Sequence, residues 1–129
     1  MPRAKQLTIT VADRPGVLGE IGAALREKRV NIQAFMAQTG EGQGTIRLVV
    51  DKPAAAKKVL VAHGWSAAEE DIAFVTLADK PGTLGAVASK LGQAGINIQY
   101  AYTGPAKGGR KANTYFRVAD LAAALKALR

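Results

Sequence analysis

The eight residues Ala12–Gly19, ADRPGVLG, return at Ala78–Gly85 as ADKPGTLG, 66 positions further along the chain. The repeat decides how the chain is organised. Sliding the sequence by 66 lays Gln6–Gln33 over Ile72–Gln99, and eleven of those twenty-eight pairs are identical. Asn31, Ile32 and Gln33 recur as Asn97, Ile98 and Gln99. With two extra residues allowed in the second copy, AAAKKVL (Ala54–Leu60) lies over AAALKAL (Ala122–Leu128). Two copies of one unit therefore fill the chain, and they are assigned to residues 1–70 and 71–129.

Each copy reads in the same order. LTITV (Leu7–Val11) alternates at period two, as a half-buried strand does. After Asp-x-Pro-Gly, Leu18, Ile21 and Leu25 recur at helical spacing, and Leu84, Val87 and Leu91 repeat them. VNIQAFMA (Val30–Ala37) is a second strand. Alternation puts Val30, Ile32, Ala34 and Met36 on its inward face and Phe35 on its outer face. TGEGQG (Thr39–Gly44) is a hairpin tip, TIRLVV (Thr45–Val50) a third strand with Ile46, Leu48 and Val50 inward, and a second helix runs from near Pro53 to near Gly64. Trp65–Asp71 makes a poor fourth strand, with the acids Glu69–Asp71 read as a solvated junction between copies. The order β-α-β-β-α-β is that of the α+β ferredoxin-like fold. The second copy reaches Arg129 in or just after its second helix, so it lacks the last strand and is expected to leave an open sheet edge.

Composition narrows the function classes. The chain is 48% hydrophobic and 22% charged, with no run near the ~20 apolar residues of a membrane span. No apolar leader is visible, cysteine is absent, and a cytoplasmic setting with no membrane association is expected. His63 is the single histidine and falls at a helix end, so no metal pair or acid-base centre assembles. We read no catalytic residues, no metal site and no cofactor, and expect a protein that is not an enzyme. The net charge of +8 collects in REKR (Arg26–Arg29) and KGGRK (Lys107–Lys111), a field that attracts anions without naming one.

The repeated loop has a structural role and a chemical one. Asp13 and Asp79 are expected to cap the following helices, with Pro15 and Pro81 early in them and Gly16 and Gly82 easing the turn. A helix N-terminus with bare backbone N–H groups also holds an anion, and glycine lets a ligand approach the backbone. A carboxylate at the helix end beside an Asp that accepts from an ammonium suits a free α-amino acid. Asn31 and Asn97 add an amide that both donates and accepts.

Asp-[Arg/Lys]-Pro-Gly-x-Leu followed by Asn-Ile, at equal spacing in both copies, resembles the ACT domain family of small-molecule-sensing regulatory modules. The likeness covers nearly the whole chain and is greatest to small free-standing tandem members. It implies a sheet with both helices on one face, side-by-side pairing of units, and amino acids held between one unit's Pro-Gly loop and its neighbour's second strand. Carried onto this sequence, the implied ligand residues are Asp13, Arg14, Pro15, Gly16, Val17 and Leu18 with Asn97 and Ile98 in one interface. In the other they are Asp79, Lys80, Pro81, Gly82, Thr83 and Leu84 with Asn31 and Ile32. The histidine that serine-sensing members carry two residues before the loop Asp is replaced by Val11 and Leu77. The resemblance implies a regulatory protein that binds an amino acid at the interface of its two units and acts in trans on an enzyme or regulator.

Two other readings use different residues. Alternation puts Phe74 and Tyr115 on the outer sheet face beside Lys107, Arg110 and Lys111, the layout of an RNA-binding module. RKANTYFRV (Arg110–Val118) lacks the glycine-aromatic signature of those modules, which leaves nucleic acid a disfavoured partner. With Ile72 and Phe35, the same aromatics would close a homodimer back to back, or serve a protein-interaction module with no ligand. A homodimer is expected, through that face or the open edge. Tyr100 and Tyr102 are expected inward with Ile98, as core.

Overall fold

Two left-handed glycines, Gly16 at φ 90° and Gly82 at φ 91°, start the first helix of each copy. The computed structural model describes residues 3–129. Its elements are β1 (Arg3–Ala12), α1 (Val17–Glu27), β2 (Ile32–Gly40), β3 (Gln43–Val50), α2 (Pro53–Ala62), β4 (Ala67–Ala78), α3 (Thr83–Gln93), β5 (Ile98–Pro105), β6 (Lys111–Val118) and α4 (Leu121–Ala127). The fold is α+β, and by contacts the chain divides into a first unit, Lys5–Glu70, and a second, Asp71–Arg129 with the start of β1.

In the first unit β3 pairs antiparallel with both β1 and β2. β2 and β3 meet at Glu41 (φ 53°) and Gly42 (φ 77°), a two-residue turn whose positive φ values match the twist of the strands it joins. α1 turns Val17, Ile21, Ala24 and Leu25 onto the sheet, where they meet Leu7, Ile9, Ile46, Leu48 and Val50, and α2 adds Ala56, Val59 and Leu60. His63 stands at the end of α2, its Nδ1 2.9 Å from the Val59 carbonyl oxygen and its ring 5.6 Å from that of Trp65.

The second unit repeats the plan, with β6 antiparallel to both β4 and β5. Its core is smaller: Phe116, Val118, Ala73 and Leu91 with Ala124, Leu125 and Leu128 of the last helix and its end. α3 fully buries only Leu91, whereas α1 buries four side chains.

Several expectations change. The acids Glu69–Asp71 are not a linker between the copies, because β4 runs unbroken from Ala67 to Ala78 with no turn residue to stop it, and of the three only Glu69 is exposed. Glu70 accepts hydrogen bonds from Gln6 Nε2 (2.9 Å) and Thr8 Oγ1 (3.4 Å) inside the first unit. In the second unit the flank of β4 is not left open, for Arg3 belongs to this unit and its guanidinium lies 3.6 Å from Asp71 Oδ2. Asp13 and Asp79 are not caps. The cap positions are Gly16 and Gly82 with no side-chain cap bond, so Pro15 and Pro81 precede the helices and each Asp stands three residues too early to reach the first turn.

Side-chain parity on the second strands is the largest correction. A register shift between Ile32 and Ala34 leaves Ile32 opposite Val50 but sets Phe35 opposite Leu48, on the helix-covered face, and Ala34 and Met36 opposite Val49 and Arg47 on the other. The same shift between Ile98 and Tyr100 puts Tyr100 and Tyr102 opposite Arg117 and Tyr115, on the outer face instead of in the core. One extra residue in a strand exchanges the faces of every residue after it.

Candidate functional site in the cleft at the first Pro-Gly loop

β1 delivers Val11 to the edge of the core, the chain turns through Asp13–Gly16, and α1 begins with buried Val17. A cleft of about 300 Å³ opens under this turn. One wall is Val11, Ala12, Asp13, Arg14, Val17 and Leu18, and the other is Ala37, Gln38 and Thr39 of β2 with Gly44 and Ile46 of β3. Four implied ligand residues, Asp13, Arg14, Val17 and Leu18, therefore line one space. Arg14 is fixed at its mouth by two hydrogen bonds to Glu20, Nη1 to Oε2 at 2.6 Å and Nη2 to Oε1 at 3.0 Å. The Arg14 hydrogen bond holds the Glu20 carboxyl below its ordinary range, and the same bond raises Arg14. Asp13 is exposed and makes no hydrogen bond or ion pair among the described residues, so its carboxylate is available to a ligand.

The remaining implied residues lie elsewhere. Asn31 sits at the opposite end of β2 from the cleft. Its N–H donates to Asp51 Oδ1 (2.9 Å) and its carbonyl accepts from the Asp51 N–H (3.1 Å). Ile32 borders a shallow apolar hollow with Leu18, Phe35 and Leu48. In the second unit the loop satisfies itself: the Asp79 N–H donates to the Arg110 carbonyl (2.8 Å), the Lys80 N–H to the Ala78 carbonyl (2.9 Å), and Thr83 Oγ1 to the carbonyls of Ala78 (2.9 Å) and Lys80 (3.2 Å). Pro81 and Gly82 are exposed there, and Leu84 is 55% exposed. Asn97 borders a separate cavity with Gln99 and Asp120, while Ile98 pairs with Val118 in the sheet. The far wall of the first cleft escaped the sequence reading. In the sequence Gly44 reads as the end of a hairpin tip and Ala37 as the end of a strand, and only the register that sets Ala37 opposite Ile46 and Val11 opposite Gly44 brings them together.

The profile of the ACT domain pair matches residues 3–124. The chain belongs to the ACT domain pair family. Protein BT0572 of Bacteroides thetaiotaomicron is similar in structure, with 25% identity, a TM-score of 0.87, and 98% of this chain and 86% of that one covered. The ligand-free regulatory subunit of aspartate kinase from Thermus thermophilus shares the fold at 22% identity and a TM-score of 0.68, covering 99% of this chain and 91% of that one. Aspartokinase III of E. coli, solved with aspartate and ADP, shares it at 16% identity and a TM-score of 0.55, covering 98% of this chain and 31% of that one. No curated protein matches the chain.

The outer face of this ACT pair's second unit carries a row of rings. Phe74 and Tyr115 stack at 5.5 Å, Tyr115 and Tyr102 at 5.4 Å, and Tyr102 and Tyr100 at 6.5 Å between centroids. The interplanar angles of 28° and 22° across the strands are those of sheet twist, so the rings stand on edge and cover one another. Tyr115 is 3% exposed and Tyr102 8%. A base needs a free ring face on which to stack, and the two central rings, Tyr115 and Tyr102, have a ring partner on each side, which counts against the RNA reading. Among the described residues no helix is long and apolar enough to cross a membrane, and no cluster of ligating side chains could hold a metal.

Proposed function

We propose that this ACT pair is a non-catalytic regulatory protein that binds a free amino acid at the first Pro-Gly loop and acts in trans on an enzyme or regulator in the cytoplasm. The observation that carries the reading is the cleft itself. Its volume is at the lower end for small-molecule sites, and its polar side chains, Asp13, Arg14, Gln38 and Thr39, are all exposed while its buried side chains are apolar. Asp13 accepts from the ligand ammonium. The carboxylate is met by Arg14 and by the N–H groups at the start of α1, which no side chain caps. The regulatory character of the ACT pair supports a binding role, and no side chains in the cleft form a nucleophile and base.

A thermal-shift screen of the twenty amino acids tests this reading, because a ligand that binds only the folded chain must raise its melting temperature. A rise with one or a few amino acids, lost in Asp13→Ala, is expected. No rise with any of them would sink it.

We also propose a homodimer. Among the described residues β2 and β5 each have a single strand partner, so each presents an unpaired edge, and Leu18 and Phe35 stand 40% and 53% exposed beside the first of them. Light scattering at tens of micromolar should give the mass of two chains. The mass of one chain contradicts the proposal.

A further inference from the structure

The walls of the first cleft say which amino acids it takes. Resting on the reading above, we infer that it selects an α-amino acid with an aliphatic side chain, and that the corresponding place in the second unit does not bind one. The buried part of the lining is carbon, Val11, Val17 and Ile46, with Gly44 leaving depth where a side chain would stand, and exposed Ala37 adds a methyl group. The polar lining residues Asp13, Arg14, Gln38 and Thr39 are all exposed. A polar rim over an apolar floor matches a ligand with a zwitterionic head and an alkyl tail. A hydroxyl or charge on that tail would give up its water with no group to replace it.

The second unit holds the same positions in the same strand register, with a hydroxyl at three of them. Val11 faces Gly44 in the first, and Leu77 faces Ala112 in the second. Ala37 faces Ile46 in the first, and Thr103 faces Thr114 in the second. At the helix start Val17 becomes Thr83, whose hydroxyl is committed to the loop carbonyls of Ala78 and Lys80. Three apolar positions have thus become threonine, and the glycine has gained a methyl group. The rim differs as well. Arg14, whose planar fork is held by Glu20, becomes Lys80, and Glu20 becomes Ala86. The bidentate pair with Glu20 occupies one edge of the guanidinium and fixes the direction of the N–H groups that remain for a ligand, a brace that Ala86 cannot give Lys80.

Calorimetric titration of the whole chain with isoleucine, leucine, valine, serine and aspartate tests the inference. The aliphatic three should bind at one site per chain, at least about tenfold tighter than serine or aspartate, the scale on which pockets discriminate by apolar contact. Ala37→Thr, at an exposed strand position, should weaken isoleucine by at least about tenfold. Thr103→Ala should leave isoleucine binding unchanged. Serine or aspartate binding as tightly as isoleucine, two equal sites per chain, or an effect of Thr103→Ala would overturn the inference while leaving amino-acid binding in place. Silence from all five, joined by silence from the other amino acids in the thermal screen, would overturn the reading beneath it as well.

Discussion

Gly44 faces Val11 across the β1–β3 ladder, and a Cβ built on Gly44 would lie 3.1 Å from Val11 Cγ2. The glycine therefore sets the depth of the cleft. Gly44→Ala must push the valine methyl aside into the space a ligand needs. We expect amino-acid binding to weaken by about tenfold while the fold loses about 1 kcal/mol, the low end for overpacking. Titration and a urea melt of the same variant read the two effects separately. Full-strength binding would show that the ligand does not reach between β1 and β3.

Gly16 and Gly19 stand three residues apart and should respond to alanine in opposite directions. Gly16 has φ 90°, where an L side chain is strained, so Gly16→Ala should cost about 1–2 kcal/mol. Gly19 lies inside α1 with nothing within 4 Å of its missing Cβ, so Gly19→Ala should stabilise by about 0.5–1 kcal/mol. Paired denaturant melts check the difference. Equal effects would mean that the left-handed cap does not persist in solution.

How far the sequence could be read depended on the kind of signal. The duplication and the order of elements were legible because identical loops and apolar periods survive in both copies. Ile46, Leu48 and Val50 were placed inward correctly, since β3 keeps its alternation to the end. Phe35, Tyr100 and Tyr102 were not, because the register shifts at the starts of β2 and β5 reverse alternation without any glycine or proline to announce them. The caps failed for a conformational reason: Asp13 has a capping composition, but a glycine with positive φ three residues later takes the position. Half of the candidate site, Asp13–Leu18, was carried by its motif. The other half lies on strands that only pairing brings near.

Tyr115 offers a pH signature of the ring row. Burial raises its phenol above the ordinary value, and a hydrogen bond with Asn113 opposes this in part. The fold thus prefers the neutral ring, and the unfolded chain ionises first as pH rises. The stability this group contributes is whole below about pH 10 and is lost as pH rises through the raised folded value. Alkaline titration of the chain against Tyr115→Phe, followed by phenolate absorbance, should isolate a group titrating above the free-tyrosine range. A difference curve centred at or below about pH 10 would place the ring in solvent.

The central claim is that the first Pro-Gly loop is a ligand site. The most direct measurement is an amide-resolved NMR titration of the labelled chain with isoleucine. The account predicts saturable shifts at Asp13, Gly16, Val17 and Leu18 together with Ala37–Thr39 and Gly44, and little change at Asp79–Leu84. If the loop amides stay still while others move, or nothing moves with isoleucine or with any of the other amino acids up to millimolar concentration, the first loop is a turn and not a site.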